Sequence, residues 1–238
     1  MTSAPAQKRP QATQQLLREW PPGYGGIERV AHELAMVWGG VVWSLDAQNR
    51  SSSEQDAILA CYPRRRLART PPLGRLVLPL PSTGLWSLLR SDQPLHGHLP
   101  SIGVLLVLLV ARLCRPRRRV TAHWHFFFEP ASGLSGRFFS VYQWLALRVV
   151  CGLPGVITTS PLLKQELLRC GCRPERVAVL PCCLSDDQEA AALVLKRSPS
   201  SSSAHQPMRV LFIGRLGSYK RLDWLLHSLA EMEQAWRL

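Results

Sequence analysis

Four histidines fall in two pairs of identical spacing, His96-x-His98 and His123-x-His125. Each pair ends or follows a stretch that predicts a β-strand, and open α/β sheets bind their ligands at that edge. Imidazoles placed there can hydrogen-bond a ligand or coordinate a metal ion. Because no carboxylate or thiol joins the four histidines at a spacing typical of metal sites, the sequence predicts no metal ion here.

A glycine-rich turn, PPGYGG at 21–26, precedes a pattern typical of a helix. Gly25 and Gly26 remove two β-carbons where a ligand would approach the backbone. The helix that follows offers free N–H groups and the positive end of its dipole to an anion. A plain tight turn explains the same residues, so both interpretations remain open at this point.

Another candidate anion site combines Gly214-Arg215 with Lys220, five positions later. A planar guanidinium and a compact ammonium together supply the charge and geometry that a diphosphate needs. A loop of this length can bring both side chains to one anion. Two ordinary charges on a solvated loop are the alternative.

These residues lie at the turns of an alternating pattern. Strands are predicted over 15–20, 41–45, 76–80, 118–124, 156–160 and 176–181, and helices over 27–38, 84–90, 101–113, 138–150 and 160–171. Residues 46–75 are predicted as loops with one short helix. Ser160 is the predicted N-cap of its helix and Gly171 the C-terminal stop. The alternation predicts an α/β fold with a mostly parallel sheet.

Composition divides the chain into four parts. Residues 1–15 are polar and predicted to be a disordered lead, and 16–184 form the first α/β domain. Residues 185–207 carry a short helix and a serine tract typical of a linker. The pattern restarts over 208–238 with a strand, a glycine turn and an amphipathic helix, which begin a second α/β domain.

The net charge of +13, from 29 basic and 16 acidic residues, indicates an anionic partner. Its clusters are Arg64–Arg66 with Arg69, and Arg115 with 117–119. Nucleic acid is disfavoured because no aromatic stacking platform accompanies the arginines. An anionic membrane surface, a phosphate-bearing substrate and a solvated basic face remain open.

The chain lacks both a membrane-spanning stretch and a secretory signal pattern. Its longest apolar run, Val104–Ala111, is far below the roughly 20 residues that a spanning helix needs. The N-terminal residues have no apolar central region, so the sequence predicts a cytoplasmic protein. Its seven cysteines are predicted to be reduced and to fill small apolar gaps.

Four segments taken in order carry a family resemblance. They are PPGYGGIERVAHELA, HGHLPSIG with TAHWHFFFEP, ITTSPLLKQELLRCGCRPERVAVLP, and VLFIGRLGSYKRLDWLL. Together they resemble the group 1 family of retaining glycosyltransferases, which is built from two facing Rossmann-like domains (the GT-B architecture). The resemblance covers nearly all of residues 20–230. It implies an N-terminal acceptor-side domain and an incomplete nucleotide-sugar-binding domain that stops after its first strand and helix.

The resemblance also implies roles for the candidate residues near the first domain's ligand edge. Gly25 and Gly26 would face the diphosphate of the sugar donor, or the acceptor. Thr121-Ala122-His123 matches the family's T-x-H segment, whose histidine hydrogen-bonds the donor sugar. His125 is an alternative alignment for that histidine.

In the second domain the resemblance implies that Gly214, Arg215 and Lys220 hold the donor diphosphate. Because these cations replace a metal ion, no metal or other cofactor is expected, and the nucleotide-sugar is a substrate. The chain departs from the family where Cys182-Cys183-Leu184 follows the strand over 176–181 in place of an Asn-Gly turn. The family's Glu-x7-Glu segment would lie beyond Leu238.

The expected activity is transfer of a sugar, with retention, from a nucleotide-diphosphate-sugar donor to a glycan, lipid or small-molecule acceptor. The expected location is the cytoplasm, with peripheral contact to the inner face of the membrane. The competing hypothesis is an inactive, truncated chain that serves at most as an acceptor- or membrane-binding half.

Overall fold

The computed structural model describes residues 12–22, 25–52, 60–74, 76–128, 133–182, 186–194, 208–213, 220–232 and 236–237. The chain divides into two compact units, Met1–Ser185 and Asp186–Leu238. Among the described residues, no helix combines the length and the apolar character that crossing a membrane requires.

The larger unit is built on a seven-stranded sheet. Its strands are β1 (Gln14–Leu17), β2 (Val42–Ser44), β3 (Arg64–Arg66), β4 (Leu95–Leu99), β5 (Val120–Trp124), β6 (Gly155–Thr158) and β7 (Val177–Val179). They lie in the order β3-β2-β1-β4-β5-β6-β7, and every neighbouring pair is parallel. The direction in which the strands are added reverses between β1 and β4, as in doubly wound nucleotide-binding folds. The predicted Rossmann-like α/β fold is confirmed.

Among the described residues, five α-helices connect these strands: α1 (Gly26–Trp38), α2 (Thr83–Arg90), α3 (Ile102–Cys114), α4 (Gly133–Cys151) and α5 (Pro161–Arg169). The local predictions for α5 hold. Ser160 Oγ accepts a hydrogen bond from the backbone N–H of Leu163 at 3.2 Å, and Gly171 has a φ of +97° after the helix. A left-handed residue at this position is what ends many helices, and glycine adopts it without a steric penalty.

Helix α3 packs directly on β4 at the centre of the sheet. Gly97 makes the close approach feasible, since a β-carbon there would lie 2.6 Å from Cδ1 of Leu108. Leu108 itself is completely buried, together with Val104 and Ala111 on the same helix. The apolar character of 101–113 therefore reflects burial against the sheet, as the sequence predicts.

The predicted strand over 76–80 is wrong, and the third strand of the sheet is β3 instead. Residues 76–80 fold back antiparallel, with the N–H of Thr70 donating to the carbonyl of Leu78 at 3.0 Å and that of Leu80 to Ala68 at 2.8 Å. Pro79 has no N–H to contribute to a continuous ladder. Strand β3 consists of three arginines at the sheet edge, where a strand needs no apolar pattern.

The smaller unit contains α6 (Asp186–Val194), α7 (Leu222–Ala230) and a parallel pair of two-residue strands, β8 (Met208–Arg209) and β9 (Trp236–Arg237). The strand predicted at the start of 208–238 is thus much shorter than the apolar run in the sequence suggests. Leu211 and Ile213, which follow β8, are 81% and 83% exposed, whereas Leu229 of α7 is buried.

The prediction of reduced cysteines that fill apolar gaps holds only in part among the described residues, since four are free but exposed and two are paired. Cys151 at the end of α4 and Cys172 after α5 form a disulfide, with their Cα atoms 4.4 Å apart. The four free cysteines among the described residues are exposed rather than buried, and they are Cys61, Cys114, Cys170 and Cys182. Pairing depends on how α4 and α5 pack, which cysteine spacing does not reveal.

Candidate functional site

The register of β4 against β5 brings the four histidines together. His98 lies directly opposite His123, and His96 lies opposite Thr121. Alternate residues of a strand share one face of the sheet, so both members of each pair point to the same side. The ring centroids of His123 and His125 are 4.1 Å apart and nearly parallel, and those of His98 and His123 are 5.5 Å apart. The rings of His98, His123 and His125 are stacked, and His96 meets His98 and His123 edge-on. We call these four residues the histidine cluster.

Gln15 of β1 determines which ring nitrogen of His98 carries the proton. Its amide nitrogen donates to the carbonyl of Ala31 at 3.2 Å, so its Oε1 is left to accept. Nε2 of His98 lies 2.9 Å from that oxygen and therefore carries the proton. Nδ1 of His98 then accepts from Nε2–H of His125, 3.0 Å away.

The other two rings keep unpartnered nitrogens. Nδ1 of His96 is 2.8 Å from the hydroxyl of Thr121, but its Nε2 has no hydrogen-bond partner. Neither ring nitrogen of His123 has one. His96 is 1% exposed and His123 is fully buried, so these atoms have lost water without a replacement.

Burial keeps the histidine cluster uncharged. Desolvation lowers the pKa of His96 to about 3, with a smaller contribution from the neighbouring His123, and lowers the pKa of His123 to about 4. The same cause holds the pKa of His98 and of His125 well below the ordinary value. Neutral rings are suited to hydrogen bonding and to metal coordination rather than to holding a positive charge.

His123 and His125, the two alternatives for the family's T-x-H histidine, differ in accessibility. His123 is completely buried inside β5, whereas His125 follows the strand and is partly exposed. Of the two, His125 alone reaches the carboxyl edge of the sheet with some surface open.

Gly25 and Gly26 begin α1, which follows β1. Gly25 is the N-cap, and a β-carbon there would meet only the flexible carboxylate end of Glu28. A β-carbon on Gly26 would meet nothing within 4 Å. Neither glycine has a left-handed φ, so the backbone conformation does not require glycine at these positions. Open space beside Gly26 is what an approaching ligand needs, although Glu28 places a negative charge in the same turn.

Two buried carboxyl groups at strand ends were missed by the sequence analysis. Glu19 follows β1 and contacts the guanidinium of Arg18, and burial raises its pKa. Asp46 follows β2 and accepts hydrogen bonds from the backbone N–H groups of Arg50 at 2.7 Å and Ser51 at 3.2 Å. Asp46 therefore stabilises the local turn. Their positions just after strands were the available signal.

Some arginines of the basic clusters make hydrogen bonds and ion pairs within the protein. Arg118 is buried and donates to the carbonyls of Leu88 at 2.7 Å and Gln93 at 2.8 Å, and to Oε1 of Gln14 at 3.0 Å. Arg115 pairs with Asp92 at 2.5 Å. These two arginines are engaged in the fold rather than free for an external anion, so the run at 115–119 offers fewer available charges than its composition suggests.

A second feature of the larger unit is an open cavity of about 450 Å³ beside β2 and β3. Its lining includes Arg65, Arg66, Thr83 and Ser87. The guanidinium of Arg65 lies 5.5 Å from the ring centroid of Trp43. The arginine run at 64–66 was the sequence signal for this basic surface.

In the smaller unit, Gly214 and Arg215 lie outside the described residues. Lys220 is described and exposed, just before α7. The structure therefore leaves the expected diphosphate-holding role of these three residues as a prediction.

The sequence comparison decides the family. The sequence model of Glycosyltransferase Family 4 matches residues 24–188, which run from just before α1 to the start of α6. The chain belongs to Glycosyltransferase Family 4. No curated protein sequence matches the chain.

Solved structures of HepE (Alr3699) from Anabaena share the fold of this Glycosyltransferase Family 4 chain. The complex with UDP is 18% identical, with a TM-score of 0.59, over 93% of this chain and 58% of HepE. The complex with UDP and glucose is 16% identical, with a TM-score of 0.55, over 92% and 57%. The complex with UDP-glucose is 16% identical, with a TM-score of 0.56, over 94% and 58%. The chain thus spans under three fifths of HepE, and its fold is that of GT-B glycosyltransferases.

Proposed function

We propose that the protein transfers a sugar from a nucleotide-diphosphate-sugar to a hydroxyl group of a glycan, lipid or small-molecule acceptor, with retention of anomeric configuration. Membership of Glycosyltransferase Family 4 supports the transferase class. HepE, which shares the fold, has been solved with UDP and with UDP-glucose, which supports a uridine diphosphate sugar as the first donor to test.

The observation that carries the proposal is the common edge shared by α1 and His125. Helix α1 connects the parallel strands β1 and β2, so its first residue, Gly26, lies toward the carboxyl edge of the sheet. His125 follows β5 at that same edge. One strand, β4, separates β1 from β5, which corresponds to about 10 Å across the sheet. A sugar diphosphate can engage a helix N-terminus and a neutral imidazole over this span.

The residues then take distinct roles. The neutral ring of His125 hydrogen-bonds and orients the donor sugar, while the buried His123 lies behind it. The open backbone at Gly25 and Gly26 faces the diphosphate or the acceptor. Gly214, Arg215 and Lys220 hold the leaving diphosphate, whose own oxygen accepts the acceptor's proton on the face where the new bond forms. As proposed, the transfer step needs no metal ion.

Calorimetric titration of the 238-residue chain with UDP-glucose and other sugar nucleotides tests donor binding. We expect binding that His125→Asn weakens at least about tenfold, which corresponds to the loss of roughly 1.4 kcal/mol from one hydrogen bond. His227→Asn is the matched control, because His227 is exposed on α7. Absence of heat at millimolar donor concentration contradicts an active transferase formed by this chain. Proton NMR of the product's anomeric signal tests retention.

A second candidate function, membrane binding, is favoured by the exposed face of α4. Leu134 is 85% exposed, and four apolar residues further along the helix are between 50% and 58% exposed: Phe138, Val141, Trp144 and Leu145. Arg137 and Arg148 are exposed on the same helix, and the guanidinium of Arg148 lies 5.1 Å from the ring centroid of Trp144. Apolar and basic groups on one helix complement an anionic membrane surface.

Flotation with vesicles of phosphatidylserine and phosphatidylcholine tests this membrane contact. We expect co-flotation at low salt that decreases at high salt, and that Phe138→Ser with Trp144→Ser abolishes. Trp86→Ser is the matched control, since Trp86 is 55% exposed on α2 and also lies beside an arginine, Arg90. Absence from the lipid fraction at both salt concentrations rejects the contact.

A further inference from the structure

The histidine cluster contains buried ring nitrogens without hydrogen-bond partners, on His96 and His123, that the proposed sugar contact at His125 does not involve. His96, His98 and His123 are all at most 2% exposed. One nitrogen from each of the three rings can be chosen so that all three lie within 4.8 Å of one another. No role in donor orientation accounts for a set of three buried rings behind the edge of the sheet.

Hydrogen bonds orient two of these rings, His96 and His98, as histidine ligands are oriented in metal centres. Histidine ligands usually donate their second ring N–H to a fixed acceptor, which leaves the other lone pair free for the ion. Oε1 of Gln15 accepts from Nε2–H of His98, so that ring's lone pair is at Nδ1. The hydroxyl of Thr121 engages Nδ1 of His96 and leaves Nε2 unpartnered. His123 has two unpartnered nitrogens.

We propose that His96, His98 and His123 form a binding site for a divalent transition-metal ion of the zinc class. Zinc accepts imidazole ligands in tetrahedral geometry, with Zn–N distances of about 2.0–2.1 Å, which separate the ligand nitrogens by about 3.3 Å. Starting from separations of at most 4.8 Å, small ring rotations close the site. This site differs from the sequence-based expectation of no metal ion, which rested on the lack of a carboxylate or thiol joining the four histidines at a spacing typical of metal sites.

His125 lies next to this site, although it is not one of the three mutually close rings. Its Nε2 lies 3.0 Å from Nδ1 of His98, so an ion bound at Nδ1 replaces that hydrogen bond and has His125 beside it. Because His125 is partly exposed, it is also the route by which an ion enters. The ring can then either complete four-coordination or turn outward and leave an open position.

The chemistry of the three nitrogen donors selects the ion. Imidazole nitrogens suit zinc, copper and nickel, whereas magnesium and calcium prefer oxygen ligands. The site therefore binds zinc in preference to magnesium.

Metal titration of the full 238-residue chain, stripped with a chelator, tests the proposal. We expect calorimetry to show one equivalent of Zn²⁺ and no comparable binding of Mg²⁺. His96→Gln and His123→Gln should each weaken Zn²⁺ binding about 100-fold, whereas His227→Gln should leave it unchanged. Substoichiometric Zn²⁺ binding by the wild-type chain, or Zn²⁺ binding that His96→Gln and His123→Gln leave unchanged, overturns the site.

X-ray absorption on the zinc-loaded wild-type chain gives a readout that needs no variant to fold. We expect a first shell of three or four imidazole nitrogens. A shell containing sulfur places the ion on the cysteines, and a shell of oxygens alone places it on the surface, and either result refutes the proposal. Gly26→Ala should weaken donor binding without changing the zinc stoichiometry, so failure of the metal site and failure of the proposed transferase activity are distinguishable.

Discussion

Gln15 Oε1 accepts a hydrogen bond from Nε2 of His98 at 2.9 Å, although the two residues lie 83 positions apart in the chain. The bond joins β1 to β4, the neighbouring strands between which the direction of strand addition reverses. It joins the buried part of the histidine cluster to α1, because the same Gln15 side chain donates to the carbonyl of Ala31. A single amide thus links the switch point, the helix that begins at Gly26 and the candidate metal site.

Replacing that amide tests the link. Gln15→Leu keeps a similar volume but leaves the ring N–H of His98 and the carbonyl of Ala31 without a side-chain partner. We expect the free energy of unfolding to fall by about 1–3 kcal/mol, measured by urea denaturation. Gln93→Leu is the control, because Gln93 is exposed and should cost less than about 0.5 kcal/mol. Equal losses in the two variants contradict the role of Gln15.

Arg118 should behave as a structural residue rather than as part of a binding surface. Burial lowers the pKa of its guanidinium to about 10, so it remains charged at neutral pH while donating to Leu88, Gln93 and Gln14. We expect Arg118→Met to lower the free energy of unfolding by about 3 kcal/mol, because three acceptors, two of them buried, lose a charged donor. Urea denaturation of both variants measures this loss. Arg117→Met, at an exposed neighbouring position, should leave the free energy of unfolding nearly unchanged.

The packing of α3 on β4 depends on the missing side chain at Gly97. Gly97→Ala should destabilise the fold by about 1–3 kcal/mol, because the added methyl group would clash with the side chain of Leu108. Combining it with Leu108→Ala should cost less than the sum of the two single changes, which a double-mutant cycle measures. Additive losses would show that the contact does not limit packing. Gly26→Ala serves as a control for stability, because it meets open space.

His32 gives a pH dependence whose sign can be worked out. Its ring, 2.8 Å from the hydroxyl of Tyr62, is buried, and desolvation lowers its pKa below 6.5. As pH falls below 6.5 the unfolded chain takes up a proton before the folded chain does, so this contribution to stability is present above pH 6.5 and lost in acid. His32→Gln should therefore gain stability relative to wild type as the pH falls from 6.5 to the lower pKa of the folded state, by at most about 1.4 kcal/mol per pH unit within that window. Urea denaturation at pH 8 and pH 5 measures the difference, and a difference that does not change with pH contradicts it.

Features that depend on neighbouring residues in the chain could be predicted from the sequence. The cap at Ser160, the stop at Gly171 and the boundaries of α3 are of this kind, because each follows from local hydrogen bonding or apolar periodicity. The α/β class followed from the same alternation. Strand β3 could not be predicted, since Arg64–Arg66 pair only through their backbone at an edge of the sheet.

The site divides in the same way. The individual histidines were visible as candidates from their strand-end positions, and so were Gly25 and Gly26. Their assembly into one cluster depends on which strands are neighbours and in which register, and His98 meets His123 only because β4 and β5 are adjacent. The burial that distinguishes His123 from His125 likewise depends on packing that the sequence does not display.

The register between β4 and β5 has one more consequence. A slip of one residue would turn His96 and His98 toward the opposite face of the sheet from His123, and the three nitrogens would no longer meet. Zinc uptake by this chain would therefore report that the centre of the sheet has aligned correctly. During refolding, the rate at which stoichiometric zinc binding appears would measure the rate at which β4 and β5 pair in the native register.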